Sequence, residues 1–303
     1  MRVLISGASG TIGVHLQRLL RQQGHETVRL VRRRVLSPAT EIFWDPVTGT
    51  IDRETVAASR IDAAVHLSGR SLLGVWTERH KQLVRKSRID SGRLLARTLA
   101  ALEIPPAVYV SISALGWYGD RGDEQLDESS PPGTGFLAEL CRDWEASAEP
   151  ARQRGIRVVH PRIGVVLSPK GGFLAPLLPI FRLGLGASPG SGKQWFGWIH
   201  GDDAMAAILL ALERTDLAGP VNLTAPHPVR LKEFTRTLAR LLHRPALLSI
   251  PAPLVKLLPG GMGQEMLLLS QRVVPGVLQR LEFPFAFEEL EPALVDILAE
   301  LAR

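Results

Sequence analysis

Short apolar runs alternate with amphipathic stretches through the first half of the chain. Runs such as Val3-Leu4-Ile5 and Ala63-Ala64-Val65 predict strands over residues 2–6, 27–31, 63–67, 108–113 and 157–160. Between them, Ile12, Leu16, Leu19 and Leu20 fall on one helical face and predict a helix over residues 11–23. Further helices are predicted over 78–102 and 136–154. This rhythm is that of a parallel sheet covered on both faces, a doubly wound α/β fold. The second half changes character. Its joints are rich in Pro and Gly, at 169–172, 188–192 and 226–228, and helices are predicted near 203–213, 231–242 and 290–301. The expected division is residues 1–165 as a nucleotide-binding domain and 166–303 as a smaller, mostly helical substrate lobe, with later strands returning to the sheet.

The turn after the first strand carries the clearest chemistry. Gly7-Ala8-Ser9-Gly10-Thr11-Ile12-Gly13 leads from strand directly into helix. Gly7 permits a tight exit, Gly10 permits backbone to approach a pyrophosphate, and Gly13 lets the helix press on the sheet. The unpaired amides of the helix start, with the positive end of its dipole, suit a phosphate. A Rossmann-type dinucleotide site is therefore expected, contacted by Gly7, Ser9, Gly10, Thr11, Ile12 and Gly13. At the end of the second strand, where an acidic residue would bind the ribose 2′-hydroxyl of NAD, stand Arg32-Arg33-Arg34. A guanidinium pairs with a 2′-phosphate in a bidentate fork, so the expected cofactor is NADP(H), with Arg32 the first candidate and Arg33 the second. Small or polar residues at the other strand ends, in Leu67-Ser68-Gly69, Ser111-Ile112-Ser113 and Pro161-Arg162, would leave room for the dinucleotide.

Composition narrows the classes. The chain has 303 residues, 45% of them hydrophobic and 22% charged, ordinary values for a globular protein. A net charge of +6 would suit an anionic ligand, yet the basic residues form no patch interleaved with aromatics, so nucleic acid is not an expected partner. The greasiest stretch, 173–185, is broken by Pro176, Pro179, Arg182 and Gly184 and is too short to span a bilayer. One cysteine, Cys141, allows no intrachain disulfide, and the chain starts at a core strand without a leader, so a cytoplasmic protein is expected. Eight scattered histidines offer no ligand spacing, and no metal is expected. A small-molecule substrate is the expected partner, and a homodimer is compatible with the chain.

Beyond the glycine turn, a series of strings occurs in order: Trp44-Asp45-Pro46, His66-Leu67-Ser68-Gly69, Trp76-Thr77, Ser87-Arg88, Tyr118-Gly119-Asp120, Phe136-Leu137-Ala138-Glu139, Trp144-Glu145, Phe181-Arg182-Leu183-Gly184, Trp198-Ile199-His200 and Asp203. Together with the GxxGxxG spacing they resemble the epimerase-like family of atypical extended short-chain dehydrogenases/reductases, whose members end in a small domain of unknown function. The resemblance implies an NADP-binding extended fold, with the nicotinamide end near Ser113 and Pro161-Arg162. It also implies cofactor contacts from Arg32, Leu67, Ser68 and Arg88, with Gly69 and Ser111 beside them. Arg88 would either reach a cofactor phosphate or make a surface ion pair.

The departure from the superfamily's pattern concerns catalysis. Ordinary members use a serine and Tyr-x-x-x-Lys, in which the tyrosine moves the proton and the lysine lowers its pKa. Ser113 stands in the serine position, but the tyrosine and lysine positions fall on Leu137 and Cys141, neither of which can do that work. Tyr118 is the remaining phenol nearby, either a proton donor or a packing residue. Glu139 reads as an acid/base or a solvated helix residue, and Cys141 as a nucleophile or a buried thiol. Asp202 or Asp203 is expected to cap the following helix. Trp195, Phe196 and Trp198 would wall a cleft or fill a core, Lys193 and Arg182 would hold an anionic substrate or, more simply, lie solvated at the surface, and Asn222 would be a turn or a cleft residue. The function expected is an NADP(H)-dependent oxidoreductase or epimerase-like enzyme acting on a small molecule such as a sugar nucleotide. The alternative is a non-catalytic NADP(H)-binding sensor.

Overall fold

A computed structural model describes residues 1–169, 171–246 and 248–301. The main-sheet strands are β1 (Arg2–Ser6), β2 (Glu26–Val31), β3 (Glu41–Asp45), β4 (Ala63–His66), β5 (Val108–Ser111), β6 (Arg157–Ile163) and β7 (Gly219–Leu223). Their spatial order is β3-β2-β1-β4-β5-β6-β7, all parallel, with a short antiparallel strand, Thr50–Ile51, on β3. The order reverses between β1 and β4, where a doubly wound sheet opens a crevice at its carboxyl edge. The first strand shows why its residues run apolar without alternation. Val3 and Ile5 pack into one core with Leu16, Leu20 and Ile208, and Leu4 packs into the opposite core with Leu95, Leu99 and Tyr109.

The principal helices are α1 (Thr11–Gln22), α2 (Glu78–Ala100), α3 (Phe136–Ala146), α4 (Leu174–Arg182), α5 (Gly201–Glu213), α6 (Leu231–Leu241) and α7 (Leu290–Leu301). The helix expected over 136–154 is broken. It stops at Ala146 and restarts as Glu149–Gln153, because Pro150 has no N–H to continue the ladder and sits in the first turn of the new segment. Strand β3 escapes the sequence reading. Its first residue is the charged Glu41, 2% exposed, which the arginines of neighbouring segments and the Leu36 amide make tolerable.

The second half builds its own core from Leu174, Leu178, Phe234, Leu238, Leu290 and Leu294. Phe196 and Trp198 belong to it at 8% and 1% exposure, so these two aromatics fill a core and do not line a cleft. Asp203 does not cap α5, because the ring of His200 accepts from the Asp202 amide in that role. The Asp203 carboxylate instead accepts from the amides of Ala286 and Phe287, at 2.8 and 3.0 Å, and so ties the approach to α7 onto the start of α5. No helix among the described residues is long and apolar enough to cross a membrane.

Candidate dinucleotide site and its surroundings

Two glycines shape the turn after β1. Gly7 has φ +70°, and a Cβ there would lie 2.7 to 2.9 Å from the backbone of Leu67 and Ser68, where β4 leaves the sheet. At Gly13 a Cβ would run into the Gly7 carbonyl and the Ala8 backbone, so α1 starts pressed against the turn. The amides of Thr11, Ile12 and Gly13 have no acceptor among the described residues, and Gly10 caps α1 without a side-chain bond. Below the turn, Ser6 Oγ and His66 Nδ1 lie 2.7 Å apart, and His66 Nε2 lies 3.1 Å from Ser91 Oγ. Burial pushes the imidazole pKa down to about 4, so the ring is a neutral peg joining β1, β4 and α2.

A cleft of about 380 Å³ opens over this turn, lined by Gly7, Gly10, Thr11, Ile12, Gly13 and Leu67 on one side. Val165, Val166, Ser168, Gly172 and Phe173 form the other wall. That second wall was missed from the sequence, which marked 169–172 only as a joint. Ser9 is exposed on the tip of the turn.

The arginines after β2 divide by partner. Glu41 is held by Arg33 through a fork at 2.6 and 3.0 Å, by Arg29 at 2.7 Å, and by the Leu36 amide at 2.8 Å. The Arg33 guanidinium, followed by the Leu36 amide, draws the Glu41 pKa down to about 2. The expectation that Arg33 serves a cofactor phosphate is therefore corrected, because its fork is occupied by a carboxylate that orders the loop. Arg32 is exposed and makes no ion pair or hydrogen bond among the described residues.

Past β4, Leu67 and Ser68 are half-buried and Gly69 is exposed. The Arg88 guanidinium lies against Gly69, with its Cζ 3.1 Å from where a Cβ would be. It donates to the Arg70 carbonyl at 2.9 Å and stacks over Trp144 at 5.2 Å. Burial lowers its pKa to about 10, which leaves it charged at neutral pH, and it has no carboxylate partner among the described residues. The surface ion pair considered for Arg88 is not found among the described residues; that pairing belongs to Arg85, which reaches Glu139 and Asp143. Glu139 is a solvent-exposed member of that pair.

At the ends of β5 and β6, the hydroxyls of Ser111 and Ser113 are buried; neither makes a hydrogen bond of good geometry among the described residues, and they lie beside the Tyr109 hydroxyl and the Cys141 thiol respectively. Pro161 is buried within β6 and has no N–H to give the ladder; beside it His160 Nδ1 lies 3.2 Å from the Ser111 carbonyl. Ser113 pairs in register with Arg162. Three residues beyond Ser113, Gly116 faces α3, where a Cβ would meet Leu137 Cβ at 3.1 Å and Cys141 Sγ at 3.3 Å. The two positions that carry tyrosine and lysine in ordinary superfamily members thus face the Ser113 segment with apolar groups. Burial pushes the Cys141 thiol up to about 12, which removes it as a nucleophile at neutral pH.

Tyr118 is fully buried and committed elsewhere. Its hydroxyl donates to Asn222 Oδ1 at 2.7 Å and accepts from Arg162 at 3.1 Å. Arg162 in turn forks onto Glu145 at 2.9 and 3.0 Å and stacks on Trp117 at 3.8 Å. Burial raises the phenol to about 12. Tyr118 as proton donor is therefore corrected: it is one link of a buried network that joins α3, β6 and β7. Asn222 is another link, donating to the Val274 carbonyl.

The C-terminal segment reaches back to the same helix. Glu265, in a π-helical turn over Gln264–Leu268, accepts from the amides of Phe136 and Leu137 at 2.9 and 2.8 Å, capping α3 from 129 residues away. Met262 and Met266 pack beside Trp76 and Leu137. Among the described residues, no three His, Cys, Asp or Glu side chains come together as a metal site.

The glycine turn, the free amides, the buried serine hydroxyls and an unpaired arginine suit a phosphate-rich dinucleotide. Comparison with known proteins agrees. Residues 3–223 match the model of the NAD dependent epimerase/dehydratase family, and residues 250–297 match a domain of unknown function, DUF1731. The chain is 41% identical over 295 residues to the epimerase family protein Mb2239 of Mycobacterium bovis, covering 96% of each. It is similar to the crystal structure of human epimerase family protein SDR39U1 (isoform 2) with NADPH, at TM-score 0.88 and 32% identity over 99% of this chain and all of that one. It also resembles a nucleoside-diphosphate sugar epimerase from Corynebacterium glutamicum, at TM-score 0.81 and 34% identity, covering 99% of this chain and 58% of that one.

Proposed function

Because the chain belongs to the NAD-dependent epimerase/dehydratase family, we propose that it binds NADP(H) along the carboxyl edge of the sheet and acts as an oxidoreductase or epimerase-like enzyme on a small molecule such as a sugar nucleotide. The observation that carries this reading is the pairing of a phosphate-ready glycine turn with Arg32, which has no partner among the described residues. The NADPH of the human relative supports it. The amides of Thr11, Ile12 and Gly13 would take the pyrophosphate, Arg32 the 2′-phosphate, and Leu67, Ser68 and Gly69 would border the ribose, with Arg88 as an additional cation. A nicotinamide held at the far end supplies hydride exchange at its C4. Ser113, whose hydroxyl is buried beside the Cys141 thiol and makes no hydrogen bond of good geometry among the described residues, would donate a hydrogen bond to the reacting oxygen.

A second reading is favoured by one set of facts. Leu137, Cys141 and Tyr118 leave no titratable proton carrier of the usual kind at Ser113, which is what a non-catalytic NADP(H) sensor would look like. Turnover separates the two. NADPH oxidation and NADP⁺ reduction are measured across carbonyls, alcohols and sugar nucleotides, with the Ser113→Ala variant beside the parent. Turnover that falls at least tenfold in the variant, with NADPH affinity kept, supports the enzyme. Tight cofactor binding without turnover or hydride exchange supports the sensor.

A further inference from the structure

The chain that leaves Ser113 enters a 3₁₀ turn, Leu115–Tyr118, and then runs as a loop towards Glu128. A turn this short satisfies few of its own carbonyls, and this one is closed from outside. The side-chain amide of Gln271 donates both its hydrogens to it, one to the Leu115 carbonyl at 2.9 Å and one to the Gly119 carbonyl at 3.0 Å. Both partners are acceptors, so the amide nitrogen, not the oxygen, must face the turn. At the end of the turn Gly119 has φ +61°, and a Cβ there would lie 2.8 Å from the Thr134 carbonyl, a place suited to glycine.

The residues beside Gln271 follow the same loop onward. The Ser270 carbonyl accepts from the Arg121 amide at 3.1 Å, and its hydroxyl donates to the Gly122 carbonyl at 2.6 Å. Arg272–Val273 pairs in parallel with Gln125–Leu126, and the Val277 amide donates to Glu128 at 3.1 Å. Val273 is fully buried with Leu115, Tyr118 and Leu126. At the other end of this stretch Glu265 caps α3. Residues 265–277, all within the matched domain of unknown function, therefore act as a strap on both pieces that frame Ser113: the turn after it and the helix opposite it. Those two pieces meet where Gly116 lies over Leu137 and Cys141, and the thiol beneath is 2% exposed.

We infer that Gln271 is the positioning residue for Ser113: by holding both ends of the 115–118 turn it keeps Gly116 seated on α3 and the Ser113 hydroxyl fixed at the sheet edge. The domain of unknown function thereby gains a role, which is to shape the segment that carries the serine. Gln271 is singled out within the strap by where it acts. The other contacts along the loop lie at residues 121–128, whereas Leu115 is two residues from Ser113. Loss of its two bonds frees the part of the loop nearest the hydroxyl, while the pairing of Arg272–Val273 with Gln125–Leu126 keeps the strap docked, so the opening is local. The part assigned to Gln271 rests on the proposed function for the role of Ser113, but the seating of the turn stands without it.

Cys141 is the single cysteine of the chain, so the rate at which an aromatic disulfide reagent labels the ligand-free full chain reports how often the turn lifts from α3. The test compares the parent with Gln271→Met, which keeps the side-chain length and removes both donors, and titrates NADPH into each by calorimetry. Labelling should speed up at least tenfold in the variant, as loss of two neutral hydrogen bonds implies, with Tm and NADPH affinity close to the parent's. Where the parent turns over, kcat should fall at least tenfold with KM for NADPH unchanged, and Gln271→Met should add nothing to Ser113→Ala. Labelling as slow as in the parent, labelling that quickens only in step with a lower Tm, or a kcat loss additive with that of Ser113→Ala would overturn the inference. In a parent without turnover the labelling decides alone, and Gln271→Asn, which draws the donors back by one methylene, is read the same way if the methionine variant fails to fold. Faster labelling in the variant of a parent that takes up no NADPH would sustain the strap and overturn the cofactor reading instead.

Discussion

The turn after β1 and the first turns of α3 face the same edge of the sheet with opposite equipment. The former is made of backbone: glycines that let segments touch, and amides left without acceptors. The latter is made of apolar side chains, Leu137 and Cys141, packed on Gly116 where the superfamily places a phenol and an ammonium. Equipment for holding a dinucleotide and equipment for moving a proton are thus separable in one fold. The helix remains firmly placed even without a catalytic pair, because Glu145 anchors it to Arg162 near its end and Glu265 caps its start.

The largest effect should come from breaking that anchorage. Glu145→Ala leaves the Arg162 guanidinium, 3% exposed, uncompensated, and loss of one partner of a buried pair costs about 3–5 kcal/mol. A fall in Tm of roughly 5–10 °C is expected by calorimetry, at about 2 °C per kcal/mol, the lower end of the range for domains of about 150–250 residues, since the shift per kcal/mol shrinks as a chain lengthens. A fall of a degree or two would mean that the network does not hold α3.

Next comes the glycine turn. Gly13→Ala drives a methyl into the Gly7 carbonyl, and overpacking of this kind costs about 1–3 kcal/mol. Since the displaced backbone is the proposed phosphate cradle, NADPH affinity should fall at least a hundredfold while the melting transition stays cooperative. Unchanged affinity would remove the turn from the site.

The smallest effect concerns the loop after β2. Glu41 has its pKa depressed in the folded state to about 2, against about 4.3 when unfolded, so its clamp contributes in full above the unfolded value and is lost as pH falls through the folded one. Amide exchange at Leu36, which donates to Glu41, should stay protected at pH 5 and open only as the pH nears 2. Early opening near pH 4 would contradict the Arg33 fork.

The parts of the molecule legible in the sequence are those that depend on neighbours in the chain. The run Val3-Leu4-Ile5, the three glycines and the spacing of Leu16 and Leu20 act within about 20 residues of each other, and they lead to the observed strand, turn and helix. Partners brought from afar were not legible. Arg32 and Arg33 look alike until β3 pairs with β2 and delivers Glu41 to one of them. Tyr118 looks free until β7 brings Asn222 from 104 residues away. The cap on α3 comes from farther still, and no local signal marks Glu265 as its source.

The central claim, that the glycine turn and Arg32 together grip NADP(H), is tested most directly by calorimetry on ligand-free protein with NADPH and NADH, beside the Arg32→Glu variant. A charge-assisted fork contributes about 1.5–3 kcal/mol, so NADPH should bind roughly 10 to 100 times tighter than NADH, and the variant should erase that preference while keeping NADH. No heat with either nucleotide, or equal losses for both in the variant, would contradict it.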